Sequence, residues 1–363
     1  MNPALPPACS GDLLHWYDRQ RRELPWRGDP DPYRIWLSEV MLQQTQVATV
    51  IPYYLRWLDR FPDPAAVSRA DSQEILKLWE GLGYYRRALQ FQAACRLIVQ
   101  DYGGQVPTDS DAFRRLPGVG PYTHAAVRSI CFGEPLPAVD GNLRRVVSRL
   151  LMLEQTGAAL TSAVELALAE IMPRDRPGDF NQALMDLGAT LCSRTNPHCK
   201  RCPLEQHCRA SRSGAVDRFP ARLSRRKRPH YPIAVGVIWK GDRILITRRP
   251  ENGLLGGLWE FPGGKIESGE TPEEAVRREV YEEVAMDIAV VAHLGTVKHG
   301  YTHFSITLSA FACHWLSGTP QPLGCTAVRW VSREELQDYP FPGANRKLFP
   351  LIGDGISAPG ISV

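Results

Sequence analysis

The sequence predicts two unlike domains, an all-α unit closed by a cysteine cluster and a smaller α+β unit. Three observations carry this reading. Apolar positions recur every three or four residues from about residue 12 to 190, and four cysteines crowd into residues 192–208. Beyond a basic stretch the pattern changes to strand-like runs around one helix. A chain of 363 residues with 44% apolar content is long enough for two cores and too apolar to be disordered. The formal charge of +4 permits contact with nucleic acid without requiring it, so charge distribution matters more than the sum. No run of eighteen apolar residues occurs, and "MNPALPPACSGDLLHW" lacks a basic region followed by an apolar one. The expectation is a soluble, cytoplasmic protein that avoids membranes.

The helical part, about residues 1–210, shows its period in "YRIWLSEVMLQQTQVATVIPYYLRWLDRF", "SQEILKLWEGL" and "RRALQFQAACRLIVQDY", separated by turns with Pro, Gly or Asp. Within "RLPGVGPYTHAAVRS", Gly118 and Gly120 allow backbone geometry or close approach that a side chain would obstruct, and Pro121 suits a helix start. Such a turn aims backbone N–H groups at a point where a phosphate would fit, or it is simply a connector between helices. Glu39 stands in "WLSEVMLQQTQV" beside Leu37, Val40 and Met41. It is either an exposed surface glutamate or a buried carboxyl whose pKa is raised toward the range useful for giving up a proton. Asp140, in "LPAVDGNLRRVVSRL", reads as a helix cap with a second role open.

Nine cysteines are an odd number, and Cys192, Cys199, Cys202 and Cys208 follow the spacing C-x6-C-x2-C-x5-C. One metal site plus buried thiols in a reducing compartment explains this better than a disulfide framework. Four thiolates suit tetrahedral zinc or an iron–sulfur cubane, and ligand chemistry leaves both open. Residues 209–232 then carry eight Lys or Arg, one Asp and three prolines, and are expected to form a basic linker, about 211–230, that is solvated or touches phosphate. From 231 to 355, "IAVGVIWKGDRILITRRP" reads as two strands about Gly241-Asp242, "ITLSAFACHWL" and "AVRWVSREEL" as later strands, and "TPEEAVRREVYEEV" as a helix. The stretch from Gly264 and Glu270 through Arg278, Glu279, Glu282 and Glu283 to Met286 resembles a Nudix box, with Ala285 where that box usually has glycine. Glu279, Glu282 and Glu283 share a helix face, which either holds Mg²⁺ beside a diphosphate or is a surface helix inherited from a hydrolase ancestor.

"LPGVGPY…AVDGN" resembles the helix-hairpin-helix and catalytic loop of a DNA glycosylase superfamily, and the cysteine spacing is that of its iron–sulfur members. "LPWR", "SEVMLQQTQV", "WEGLGYY" and "FNQALMDLGA" narrow the resemblance to the A/G-specific adenine DNA glycosylase (MutY) family over essentially the full chain. The resemblance implies a [4Fe–4S] cluster on the four cysteines, in a module that joins the N-terminal helix to residues from about 136 to 210. It implies that Glu39 protonates adenine at N7 and that Asp140 stabilises charge on the deoxyribose, with retention through a transient sugar adduct. Tyr122 and Asn142 match positions that support this step. Tyr122 stands where strand-cutting relatives carry a Schiff-base lysine, so the activity expected is monofunctional. Arg22, Leu24, Trp26, Arg27 and Gln182 match the adenine pocket, though the last position is glutamate in some relatives. Gln44 matches a residue that enters the duplex, Tyr84 one that wedges beside the oxidised guanine, and Gly118 and Gly120 belong to the hairpin that grips phosphate.

The same resemblance makes the C-terminal part a Nudix-like domain recognising 8-oxoguanine opposite adenine. Thr302 takes the hydroxyl position of the reading loop, Tyr301 replaces a common phenylalanine, and His303 follows. The implied partner is duplex DNA with adenine mispaired with 8-oxoguanine or guanine, bound by a monomer, nucleoid-associated if the source is bacterial. Two rivals are a free-nucleotide pyrophosphohydrolase using the glutamate box, and a noncatalytic mismatch-binding module.

Overall fold

The computed structural model describes residues 4–221 and 228–353; residues 222–227 of the expected linker and the end of the expected C-terminal domain lie outside the described residues. The chain forms two compact units, Met1–Arg69 with Ala93–Arg225, and Ala70–Gln92 with Arg226–Val363. Helices run in the order α1 (Ala8–Gln20), α2 (Pro32–Leu42), α3 (Val47–Arg60), α4 (Pro64–Arg69), α5 (Ser72–Trp79), α6 (Arg86–Asp101), α7 (Ser110–Arg114), α8 (Pro121–Phe132), α9 (Gly141–Leu151), α10 (Gly157–Ala169), α11 (Pro177–Thr190) and α12 (Arg209–Arg212). Of these, α5 and the start of α6 belong to the second unit. No helix among the described residues is long and apolar enough to cross a membrane.

Aspartates start several helices of the first unit by accepting otherwise orphaned N–H groups. Asp31 accepts from Tyr33 at 2.9 Å ahead of α2, Asp109 from Ala112 at 2.7 Å ahead of α7, and Asp140 from Leu143 at 2.7 Å ahead of α9. One core joins the N-terminal helix to distant chain: Leu13 and Tyr17 of α1 pack with Val147 and Leu150 of α9 and with Phe180 and Leu187 of α11. Each such apolar side chain contributes ~2 kcal/mol of burial. In a second group α2 lies against α3 and α8, and Trp36 meets Phe113 edge-on at 5.7 Å. The α7–α8 turn needs Gly118, whose φ is +78°. Gly120 is different: its backbone is extended at φ −86°, and a Cβ there would meet nothing within 4 Å.

The second unit is built on a sheet ordered β3 (Trp259–Glu260), β2 (Arg243–Arg248), β1 (His230–Lys240), β6 (Ser305–Ser317), β5 (Asp287–Gly300), with β4 (Gly263–Lys265) on β1 and β7 (Ala327–Val331) on β2. β1 and β6 are parallel; the other pairs are antiparallel. The expected hairpin closes at Gly241-Asp242, with Lys240 opposite Arg243. Helix α13 (Pro272–Val284) covers one face through Ala275, Val276 and Val280, while Phe261, Phe341 and Leu348 fill the other. The sequence reading omits β5 because bulges between Val290 and Ala292 and between His293 and Gly295 break its two-residue alternation. The strand expected to continue past Val331 instead turns into a 3₁₀ segment, Glu335–Asp338.

Helix α13 opens with a full capping box between Thr271 and Glu274 and closes at Ala285 in the left-handed region, φ +54° and ψ 44°. That is the place where the box usually has glycine, and a Cβ is unfavourable there. Ala285→Gly is expected to stabilise the second unit by roughly 1 kcal/mol, read as a higher midpoint in thermal unfolding.

Candidate active site

Helix α2 is enclosed on almost every side: Tyr33, Ile35, Trp36, Leu37, Val40 and Met41 are all buried. Glu39 therefore has no solvent-facing side to use and is 4% exposed. Loss of water pushes its carboxyl up to about 7, opposed by a hydrogen bond from Tyr122 and the positive charge of Arg27 and reinforced by Asp140. The Tyr122 hydroxyl donates to Glu39 Oε2 at 2.5 Å. Burial, the charges of Glu39 and Asp140 and this bond hold the phenol well above its usual range, so it remains a donor. Tyr122 reaches Glu39 because it is the second residue of α8, set by the Gly118–Pro121 turn where α8 packs on α2.

Tyr122 also lines a cleft of about 1260 Å³ whose walls include Gln43, Gln44, Asp140, Asn142 and Arg145. Gln44 holds a left-handed backbone, φ +58°. Asp140 both caps α9 and faces this cleft. Burial raises its carboxyl, while hydrogen bonds from Leu143 and Asn142 favour the charged form. The Asn142 amide donates to Asp140 at 2.9 Å and accepts from Arg145 at 2.9 Å. Arg145 continues to the carbonyls of Gly188 at 2.7 Å and Cys192 at 2.8 Å. Gly188 makes this approach feasible, since a Cβ there would come within 2.7 Å of the Asn142 Cβ.

A second group surrounds Asp186, which is fully buried. Its carboxylate accepts from Arg22 Nε at 2.7 Å and Arg27 Nη2 at 2.9 Å, and Arg27 also donates to the Tyr17 hydroxyl. Trp26 is buried edge-on against Tyr54 at 5.2 Å, Leu24 is half-buried, and Gln182 lies one turn before Asp186 on α11. Asn181, also fully buried, accepts from Ala138 at 3.0 Å and donates to Leu136 at 2.8 Å, fixing the loop that ends at Asp140. Arg145, Asp186, Asn181 and Gly188 were not singled out by sequence reasoning. The only cue is polar residues at helix-core spacing in "RRVVSRL" and "FNQALMDLGA".

The four cysteines line one small cavity with Leu150, Leu187 and Leu204. Arg149, 3% exposed, brings a guanidinium nitrogen to 3.4 Å from Cys192 Sγ and donates to the Ser193 carbonyl at 2.7 Å. Among the described residues no three His, Cys, Asp or Glu side chains converge as for a single metal ion. In the second unit, Tyr84 and Thr302 meet through their hydroxyls. Thr302 and His303 are exposed, whereas Tyr301 packs on Phe304 at 4.7 Å and on His299 at 4.7 Å. Arg278 spans Glu270 at 2.8 Å, Glu279 at 3.1 Å and Glu282 at 3.2 Å. Glu283 accepts the Gly263 N–H at 3.2 Å, and burial pushes its carboxyl up to about 8.

Because the Tyr122 bond favours the ionised form of Glu39, Tyr122→Phe is expected to raise the Glu39 midpoint above about 7. Infrared difference titration of the protonated carboxyl checks this; an unmoved or lowered midpoint contradicts it.

Residues 37–174 match the family model for the HhH-GPD superfamily base excision DNA repair protein, and residues 234–351 match that for the NUDIX domain. The chain is 34% identical to the adenine DNA glycosylase of Rattus norvegicus across 93% of this chain and 76% of that protein. It is 34% identical to the adenine DNA glycosylase of Homo sapiens across 94% of this chain and 73% of the relative. The solved structure of a thermostable thymine-DNA glycosylase superposes with a TM-score of 0.51 at 30% identity, covering 57% of this chain and 96% of that one. A helical HhH-GPD domain followed by an α+β Nudix domain, with relatives of this similarity over most of both chains, places the chain in the adenine DNA glycosylase (MutY) family.

Proposed function

We propose that this protein is a monofunctional adenine DNA glycosylase that removes adenine mispaired with 8-oxoguanine or guanine in duplex DNA. The observation that carries the reading is a buried carboxyl, Glu39, hydrogen-bonded by Tyr122 and close enough to Asp140 for the two charges to interact. A carboxyl that titrates at about 7 still holds its proton in part at neutral pH, as a general acid requires. Once adenine is turned out of the stack, Glu39 gives its proton to N7. The C1′–N9 bond then breaks, its electron pair leaves with neutral adenine, and positive charge develops on the deoxyribose. Asp140, kept near the sugar by its cap and by Asn142, faces that charge and forms the transient adduct. Water replaces the carboxylate at C1′ and loses a proton, leaving an abasic site. Tyr122 has no amine, so this position forms no Schiff base and cuts no strand.

The remaining residues take supporting roles. Arg22 and Arg27, neutralised in part by Asp186, border the adenine pocket with Leu24, Trp26 and Gln182. The space left open at Gly120 and the turn at Gly118 suit a backbone phosphate at the start of α8. Gln44 reaches into the duplex from the cleft wall. Cys192, Cys199, Cys202 and Cys208 would hold a [4Fe–4S] cluster, whose contribution when bound is structural. Four thiols lining one cavity fit the cubane that the family resemblance implies. The second unit reads 8-oxoguanine through Tyr84, Tyr301, Thr302 and His303. A pyrophosphohydrolase role with Mg²⁺ is less supported: Glu279 and Glu282 each pair with Arg278, at 3.1 and 3.2 Å. We place the protein in the cytoplasm, on nucleoid DNA if bacterial, as a monomer whose basic stretch 211–230 connects the HhH-GPD and Nudix parts of the chain.

Single-turnover reactions on a duplex with one 8-oxoguanine:adenine pair, analysed with and without hot alkali, test the reading. Wild type is expected to yield strand breaks only after alkali, and Glu39→Gln none. Breaks without alkali, or an undiminished mutant, contradict the assignment.

A further inference from the structure

Residues 70–92 fold with the C-terminal part of the chain, and a row of side chains on one face of α5 explains the association. Gln73, Lys77 and Glu80 succeed one another at helical spacing. The Gln73 amide donates to the Gly257 carbonyl at 3.0 Å and accepts from the Trp259 indole N–H at 2.7 Å, so both its ends are used. Leu76 presses on Gly257, where a Cβ would lie 3.1 Å from the leucine methyl. Lys77 donates to the Tyr339 carbonyl at 3.1 Å and to Glu80 at 3.0 Å. Glu80 closes the row. One oxygen accepts the Phe341 backbone N–H at 2.8 Å, and the other meets Arg346 at 3.0 Å.

Four residues beyond Glu80 stands Tyr84, its backbone in the left-handed region at φ +48°, with its hydroxyl against that of Thr302. Both side chains are exposed. The bond between these exposed hydroxyls is a weak contact, and the loop of Tyr84 is also held through the Gly83 carbonyl by Trp79 at 3.0 Å and Arg87 at 3.1 Å. The charge-assisted bonds at Glu80, whose side chain is only 11% exposed, are stronger and better shielded. The Trp259 N–H donating to the Pro340 carbonyl at 2.8 Å ties the two parts of the receiving surface together.

We infer that Glu80 is a positioning residue for recognition of the base opposite adenine: it latches the segment leaving α5 so that Tyr84 and Thr302 present one joined edge to that base. The inference rests on the proposed function, in which these two residues read 8-oxoguanine. Glu80 acts through Tyr84, so its loss should alter discrimination and spare the chemistry at Glu39.

The test compares single-turnover adenine release from 8-oxoguanine:adenine and guanine:adenine duplexes by the full-length protein. For Glu80→Ala the rate on the oxidised pair is expected to fall about tenfold, the scale of one charge-assisted bond, with the guanine:adenine rate held within about twofold. Gln73→Ala, which leaves the charges in place, is expected to move the ratio the same way. Adding Glu80→Ala to Thr302→Ala should cost nothing more, because both act on one contact. Equal loss on both duplexes, an unchanged ratio in both single variants, or independent losses in the double variant would overturn the latch. A wild type that releases no adenine from either duplex overturns the functional reading, and the latch with it.

Discussion

The hydrogen bond from Tyr122 to Glu39 is the interaction on which the site depends. A carboxyl in the middle of a helix enclosed on nearly all sides has no water to stabilise its charge. A single donor at 2.5 Å offsets part of that cost and leaves the proton weakly held at neutral pH. Much local structure follows from placing that hydroxyl. Gly118 takes a backbone that side chains disfavour, Pro121 starts α8, and α8 packs on α2, so the second residue of one helix meets the eighth of another.

A second constraint joins the chemistry to the cysteine-bearing end of the first unit. Asp140 is at once the N-cap of α9 and the acceptor of Asn142, and Asn142 is held by Arg145, which also grips the Cys192 carbonyl. Arg149, one turn further along α9, binds the next carbonyl and approaches Cys192 Sγ. One helix thus carries both the orientation of the Asp140 carboxylate and the loop that bears the first cysteine. Holding the loop before Asp140 falls to Asn181, whose buried amide accepts from the Ala138 N–H and donates to the Leu136 carbonyl.

Legibility in the sequence followed the range of the interaction. The helices of the first unit, the Gly241-Asp242 hairpin and the α13 helix announce themselves through local period and turn chemistry. The β5 strand does not, because its bulges hide the alternation. At the site, the cap at Asp140 was readable from its neighbours, whereas the burial of Glu39 was left open because it depends on α3 and α8 closing around α2. Partners separated by 164 residues, as Arg22 and Asp186 are, leave no local trace. The same holds for the latch at Glu80, where Phe341 lies 261 residues away. The ring of Tyr301 packs on Phe304 and His299, a contact set by the way the loop folds back on itself.

The central claim is that Glu39 delivers the proton that releases adenine, and the most direct measurement is the pH dependence of single-turnover adenine release by the wild-type protein. On that claim the protonated carboxyl is the active form, so the rate should decline as pH rises through about 7, where burial places its midpoint. A rate that stays level or climbs through that range would show that the acid lies elsewhere.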